Sequence, residues 1–241
     1  MRVSANSANN NATVNPDVIV DQFIRSCSHD LRSPVSTIKG LVKLAAHYPQ
    51  QEEVHNCLDL IETCTNTMDK LLRSLEEYMY INKYELNPQP VDCSKTVDDV
   101  LNVFMSNIEN SGVVVDTDSV TREAVLTDPI IFSLICNHLI SNAVAYQDLT
   151  KKKRRIRIAI KPISHAVEIK IVDNGIGVPE KVKDKIFWPF VKATSLSTRG
   201  IGMGLFLFQN MINKVNGQFT FHSRENYGTT VTALIPKLQT I

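Results

Sequence analysis

Apolar residues recur near the start of the chain at steps of mostly three and four: Val20, Ile24, Cys27, Leu31, Val35, Ile38, Val42 and Ala45. That spacing lays them in one stripe on a helix from Asp17 to about Ala46. The pattern breaks at His47-Tyr48-Pro49-Gln50-Gln51 and resumes at Val54, Leu58, Ile61, Thr65, Met68, Leu72, Leu75 and Met79. Each arm is about 30 residues, roughly 45 Å at the helical rise. Two arms joined by a short loop predict an antiparallel helical hairpin. A lone hairpin cannot cover both stripes, so pairing with a second copy into a dimeric four-helix bundle is expected. The alternative is that the stripes pack on the rest of this chain. Asn87-Pro88-Gln89-Pro90 ends the hairpin, because proline cannot continue a helix and disfavours it in the residue before.

Beyond Pro90 the period changes. Ser94 to about Asn107 reads as a helix and Val113-Val114-Val115 as a short strand. Asp128-Pro129 is a helix start, with Asp as N-cap and Pro in the first turn, and the helix runs to about Tyr146. Ile156, Ile158 and Ile160 alternate with Arg155, Arg157 and Ala159, the period of a strand with one buried face. Val167, Ile169 and Ile171 repeat it, whereas residues 178–199 hold no clean period. Gly204 to Val215 is helical, and 218–223 and 229–235 are closing strands. The expected fold is a helical hairpin followed by an α/β sandwich, with helices on one face of a mixed sheet. The expected division is a flexible leader over 1–16, rich in Asn, Ser and Ala, a hairpin over 17–86, and an α/β domain over 87–241.

Composition narrows the classes. With 43% hydrophobic residues the chain can bury a core, and 26 Lys and Arg against 25 Asp and Glu leave no global field toward nucleic acid or anionic lipid. Five cysteines without a CxxC pair predict free thiols in a reducing compartment, with neither a zinc site nor a disulfide framework. No apolar run approaches the ~18 residues that span a bilayer, and the N-terminal MRVSANSANNNATVNP lacks the apolar stretch of a secretory signal. A cytoplasmic chain is expected, joined to a membrane only through a segment outside it. Lys151-Lys152-Lys153-Arg154-Arg155 reads as a solvated loop in preference to a docking face for an acidic partner. Cys57 and Cys64, seven apart, raise a redox sensor only as the lesser alternative to inert thiols.

The sharpest local signal is Ser28-His29-Asp30-Leu31-Arg32-Ser33-Pro34. His29 lies two residues before Leu31, about 200° round the helix, so it faces outward when Leu31 faces the seam. An exposed neutral imidazole is a competent nucleophile for phosphorus near neutral pH, and Asp30 beside it can accept a proton or fix the tautomer. A lone surface histidine is ordinarily a solvated side chain. Pro34 is the residue that reading leaves unexplained, since a mid-helix proline costs about 3 kcal/mol. Its missing N–H weakens the helix one turn past His29 and offers a bend. A second constellation is Val172-Asp173-Asn174-Gly175-Ile176-Gly177-Val178. A carboxylate at a strand end can accept a hydrogen bond from an exocyclic amine such as adenine N6, and the two glycines let backbone approach a flat base. The third is Gly200-Ile201-Gly202-Met203-Gly204-Leu205, opening a helix whose bared N–H groups and dipole suit phosphates. Either glycine cluster alone is a weak signal; both, separated by an irregular lid, carry more.

Taken in order, these motifs resemble the two-component sensor histidine kinases, whose ATP domain is shared with gyrase, Hsp90 and MutL. The resemblance covers about 17–237. SHDLRSPV resembles the H box, with His29 as phospho-acceptor, and LISNAV the N box, with Asn142 as the implied Mg²⁺ ligand. VDNGIGV resembles the first glycine box, with Asp173 as adenine reader alongside Gly175 and Gly177. IFWPF resembles the F box, ending at Phe190; GIGMGL the second glycine box, with Gly200, Gly202, Gly204 and Leu205; and YGTTVTALIP the final hairpin, with Thr229 near the nucleotide. Two departures stand out. His138 replaces the family's Asn one turn before Asn142, and Ala145 replaces its Lys or Arg before the aromatic Tyr146, itself an implied nucleotide contact. At i, i+4 and i+7 these positions share the helix face that would meet the triphosphate, and Lys192 or Arg199 of the lid could supply the missing cation. The resemblance implies a homodimer that binds ATP and Mg²⁺, phosphorylates His29 with help from Asp30, and passes the phosphoryl group to an aspartate on a response-regulator receiver domain. Ser33 stands where the family often has Thr or Asn aiding dephosphorylation, which implies phosphatase activity too. The rivals are an ATP-binding dimeric signalling scaffold with weak or no kinase activity, motivated by His138 and Ala145, and a gyrase-type ATPase, whose relatives have no hairpin bearing an H box.

Overall fold

A computed structural model describes residues 16–47, 50–193 and 200–237, with the backbone alone for 16–30. Apart from Pro16, the expected leader lies outside the described residues, as do Tyr48 and Pro49 of the expected hairpin loop. The chain divides into two compact units, Met1–Glu77 and Tyr78–Ile241.

The first unit is helical. Helix α1 spans Pro16–His47 with Pro34 inside it, and α2 spans Gln51–Lys83 and continues into the second unit. On the part of α2 that lies in this unit the buried and half-buried apolar residues are Val54, Cys57, Ile61, Cys64, Met68, Leu71 and Leu75. Their steps of three and four are the heptad period of a packing seam. The expected stripe had merged this seam with the positions beside it: Leu58, Leu72 and Met79 are 56%, 46% and 50% exposed. On α1 likewise Leu41 is half-buried while Val42 is 54% exposed. A period near 3.5 allows either neighbour to fit the pattern, and only packing separates them.

The second unit opens with the end of α2. Tyr78 and Ile81 are buried there, and α2 stops at Lys83, ahead of the Asn87–Pro90 stretch. Strand β1 (Gln89–Asp92) pairs antiparallel with β3 (Ala124–Thr127), a two-stranded sheet too short to show a period in the sequence. The single helix expected over 94–107 is two, α3 (Cys93–Val103) and α4 (Met105–Ser111), because Phe104 between them leaves helical geometry at φ −102°, ψ 7°. Gly112, left-handed at φ 62°, ends α4, and β2 (Val114–Val120) runs well past the expected Val115.

Helix α5 (Pro129–Ala145) is apolar nearly all round, as a buried helix must be. Asp128 caps it, accepting from Ile131 N at 2.9 Å. The same buried carboxylate also accepts from Tyr84 Oη at 3.0 Å and Asn87 N at 2.7 Å. Burial and the bond to Asp128 push the Tyr84 phenol up to about 12. Strands β4 (Arg155–Pro162) and β5 (Ala166–Asp173), helix α6 (Gly204–Lys214), and strands β6 (Gln218–Arg224) and β7 (Gly228–Pro236) complete the unit. The larger sheet has five strands in the order β2-β4-β5-β7-β6, with β2 and β4 parallel and the other pairs antiparallel. Ile156, Ile158, Ile160, Val167, Ile169, Ile171, Val231, Ala233 and Ile235 are buried on the sheet, with α5 and α6 packed against it and each other. This is the expected mixed-sheet sandwich with an α-helical layer. Among the described residues no helix is long and apolar enough to cross a membrane. Cys57, Cys64, Cys93 and Cys136 are free, and burial raises both the Cys93 thiol, to about 11, and that of Cys136.

Candidate functional site

Asp173 is the last residue of β5 and pairs in register with Thr229 at the start of β7. Its Oδ1 accepts from Gly175 N at 2.8 Å, and the Thr229 N–H is a second donor. Burial dominates over these bonds and over the Lys151 charge, and raises the carboxyl from 3.8 to about 6. The loop after it has no room for a side chain at either glycine. A Cβ on Gly175 would lie 2.2 Å from Tyr146 O, and one on Gly177, at φ 65°, would lie 2.0 Å from Arg224 O. Ile176 N donates to Tyr146 O at 3.0 Å, Val178 N to Ser223 Oγ at 2.9 Å, and Asn226 N to Ile176 O at 2.7 Å. The Thr229 hydroxyl meets that same Ser223 Oγ at 2.9 Å.

The end of α5 reaches both glycine clusters. Tyr146, its C-cap, offers its carbonyl to the 175–176 loop, and its hydroxyl lies 3.3 Å from where a Gly200 Cβ would be. One turn earlier, Asn142 Oδ1 and Nδ2 lie 3.3 and 3.4 Å from a Cβ on Gly204, and His138 Nδ1 lies 3.6 Å from it. Gly204 is the first residue of α6, so these side chains gather where the helix bares its N–H groups. Asn142 Nδ2 is buried without a hydrogen-bond partner among the described residues. An unpaired buried amide is costly unless a ligand completes it.

Among the described residues of the expected lid, Glu180–Lys185 forms a 3₁₀ stretch. Phe187 then packs its ring on Phe219 and Phe221 of β6, at 5.1 and 5.3 Å between centroids. Phe190 adopts a left-handed φ of 65°, rare for a bulky residue, and its N–H donates to Gly202 O at 3.0 Å. Gly202, at φ 81°, leaves no space for a Cβ, which would sit 2.7 Å from both Phe190 C and Val191 O. Leu205 is half-buried in the first turn of α6, and Lys192 is exposed. Arg199 lies outside the described residues. On α1, Ser33 is exposed and its carbonyl accepts from Thr37 Oγ1 at 3.1 Å. His29 and Asp30 fall within the helix, where the backbone alone is described.

The structure therefore brings Asn142, Tyr146, Gly200 and Gly204 together, and joins Asp173, Gly175 and Thr229 beside them through Tyr146 and the β5–β7 register. It adds three residues that the sequence had not marked. Ser223 and Gly228 hold the loop after β5 against the last hairpin, where a Gly228 Cβ would come 2.1 Å from Asp173 O. Lys151 departs from the solvated-loop reading, which holds at exposed Lys152, Lys153 and Arg155: its ammonium is turned onto backbone carbonyls of the loop after β5 and of the turn at Asn226.

Residues 127–239 match the family described as Histidine kinase-, DNA gyrase B-, and HSP90-like ATPase, and residues 19–82 match the His Kinase A (phospho-acceptor) domain. The chain belongs to the sensor histidine kinases. Among its kinase relatives, the signal transduction histidine-protein kinase BarA of Escherichia coli strain K12 is 26% identical over 224 residues, 88% of this chain. The chain spans 24% of BarA's length. The histidine kinase ThkA, solved in complex with the response regulator protein TrrA, superposes with a TM-score of 0.68 at 21% identity, covering 91% of this chain and 62% of that one. Full-length ShkA, solved in complex with AMPPNP, gives 0.61 at 18% identity, covering 89% of this chain and 45% of that one. At these identities the structural likeness bears on the fold of this histidine kinase.

Proposed function

We propose that this histidine kinase core binds ATP with Mg²⁺ in the second unit and transfers the γ-phosphoryl group to His29. The observation that carries this reading is α5, whose last two turns touch both glycine clusters through Tyr146 and Asn142. Asp173, held by Gly175 and Thr229, is the acceptor for the adenine amino group. Gly175 and Gly177 keep the loop flat against the base, and Gly200, Gly202, Gly204 and Leu205 present the start of α6 to the phosphates. The unpaired Nδ2 of Asn142 and the open α6 end fit phosphate oxygens, and Asn142 Oδ1 is the atom that would hold a Mg²⁺ ion beside them. Bound there, Mg²⁺ supplies positive charge that offsets the phosphate oxygens. A His29 ring nitrogen forms the N–P bond as the β–γ bridging P–O bond breaks. ADP leaves with that electron pair, and Asp30 takes the imidazole proton.

The further steps belong to the same proposal: transfer from His29 to an aspartate of a response-regulator receiver domain, as the ThkA–TrrA complex suggests by likeness, and hydrolysis assisted by the exposed Ser33. The working form is a cytoplasmic homodimer. Incubation with γ-labelled ATP and Mg²⁺ tests it: acid-labile, base-stable label is expected, absent from His29→Gln while nucleotide binding persists. Label retained by that variant places the acceptor elsewhere. Bound nucleotide without label in the parent protein supports the scaffold reading.

A further inference from the structure

The basic run between α5 and β4 contains one residue unlike its neighbours. Lys151 Nζ donates to Asn174 O at 2.6 Å, to Gly175 O at 3.1 Å and to Asn226 O at 2.7 Å. A lysine ammonium has three donors, and here each meets a backbone carbonyl. Only 26% of the side chain is exposed, and the Asp148 carboxylate stands 3.7 Å away. The three carbonyls come from two places far apart in the sequence, the loop that follows Asp173 and the turn between β6 and β7. Around this point the loop is stitched further. Asn174 Oδ1 accepts from Arg155 N at 2.8 Å, and its Nδ2 donates to Lys153 O at 2.7 Å. Those bonds fix the middle and the last residue of the basic run, and Lys151 at its start reaches the loop through its side chain.

We infer that Lys151 is a positioning residue for nucleotide binding, clamping the 174–175 peptides so that the Gly175 N–H stays on Asp173 and the Asp173 carboxylate stays aimed at the base. The inference rests on the proposed role of Asp173 as adenine acceptor. Two effects are joined in one side chain. The hydrogen bonds hold the loop against the 226 turn, and the positive charge favours the carboxylate over its protonated form, against burial. The groups that face Asp173 are the Gly175 N–H from its own loop, the Thr229 N–H from β7 and the Lys151 ammonium, with Asp148 beside that ammonium as the opposing charge.

The test uses ADP without metal as probe, titrated over a range of mildly acidic to neutral pH into the parent, Lys151→Met, Lys151→Arg and Asp173→Asn. Lys151→Met keeps the apolar stem and removes the charge. It should weaken ADP binding roughly tenfold, the scale of a charge-assisted hydrogen bond. It should also shift the acid limb of the binding curve to higher pH. Lys151→Arg keeps the charge and should leave that limb near the parent's while losing part of the affinity, since a planar fork does not match three converging carbonyls. Direct carboxyl-carbon NMR titration of Asp173 in the Arg and Met variants gives the same ordering where binding is too weak to measure. A clamp without an electrostatic role would lower affinity equally at every pH, and superimposable acid limbs in parent and Lys151→Met overturn the inference. So does unchanged affinity in Lys151→Met. If Asp173→Asn binds ADP as well as the parent, the adenine-reader assignment itself fails, an outcome distinct from the others.

Discussion

Asp173 is pulled two ways by its surroundings. Burial favours the protonated acid, and the fold raises its titration from 3.8 to about 6. A group raised in the folded state adds stability that is complete below about 3.8 and lost as pH rises through about 6. Nucleotide affinity runs in the opposite direction, because an adenine amino donor needs the ionised acceptor. ATP affinity should therefore fall as pH drops through about 6 while thermal stability of the free protein does not fall for the same reason. Calorimetric titration at several pH values checks this, and a flat curve would remove Asp173 as acceptor. Asp173→Asn should abolish the pH dependence along with most of the affinity, since an amide must present its oxygen in one fixed orientation. The phosphate side poses a second question at the same scale. His138 Nδ1 and Asn142 lie together at Gly204, where the histidine stands in for an amide and Ala145, one turn on, for a cation. Restoring both, His138→Asn with Ala145→Lys, is expected to raise the autophosphorylation rate roughly tenfold if one charge-assisted bond of about 1.5–3 kcal/mol is realised in the transition state. Adenosine affinity should stay put. A double variant no faster than the parent, yet folded and binding ATP, means that the lid already provides the charge, and Lys192→Ala would then be the crippled variant.

Among the elements, legibility followed period and length. Strands β4, β5 and β7 each carry several alternations, and their apolar positions could be read as one buried face. β1 and β3, of four residues each, offer too few repeats to reveal a pairing that forms between segments far apart in the chain. The break at Phe104 was hidden because no proline or glycine marks it. In the site, the two glycine clusters could be read because glycine is rare in the chain, with only nine in all, and each cluster sits at an element boundary. Lys151 could not, since five successive basic residues look alike until the turn around Asn226, 75 positions away, selects one of them. Gly202 was legible as part of a motif, but its reason is structural: it lets the backbone of Phe190 and Val191 close onto the start of α6. Gly202→Ala must accommodate φ 81° and a Cβ placed 2.7 Å from two backbone atoms. The left-handed backbone alone costs on the order of 1–2 kcal/mol. The variant should melt lower in a thermal scan and lose ATP affinity more than adenosine affinity, because the displaced segment carries the phosphate-facing helix start. Equal losses for both ligands would show that the contact serves the whole unit rather than the phosphate end.

At the scale of the molecule, the helical unit leaves a question that its own chain does not answer. Helix α2 buries one heptad seam through Cys57, Cys64 and Leu71, yet beside it Leu58, Leu72 and Met79 recur at multiples of seven and stay 46–56% exposed. An apolar row with that repeat on an isolated surface is unfavourable, and a second copy of the same hairpin covers it by symmetry. In such a pair each substitution occurs twice. Leu72→Glu would put a charge at one exposed position of the monomer, where the cost is usually within about 0.5 kcal/mol, but would place two like charges in a desolvated seam of the dimer. The expected outcome by light scattering at tens of micromolar is a dimer for the parent and a monomer for Leu72→Glu, with helical circular dichroism retained. Thermal unfolding should separate them as well: the parent's midpoint rises with protein concentration, as it does when only the folded partner associates, and the variant's does not. Nucleotide binding, which depends on the second unit, should be the same in both. A parent that is monomeric and melts independently of concentration would mean that this row is covered by something other than a second hairpin.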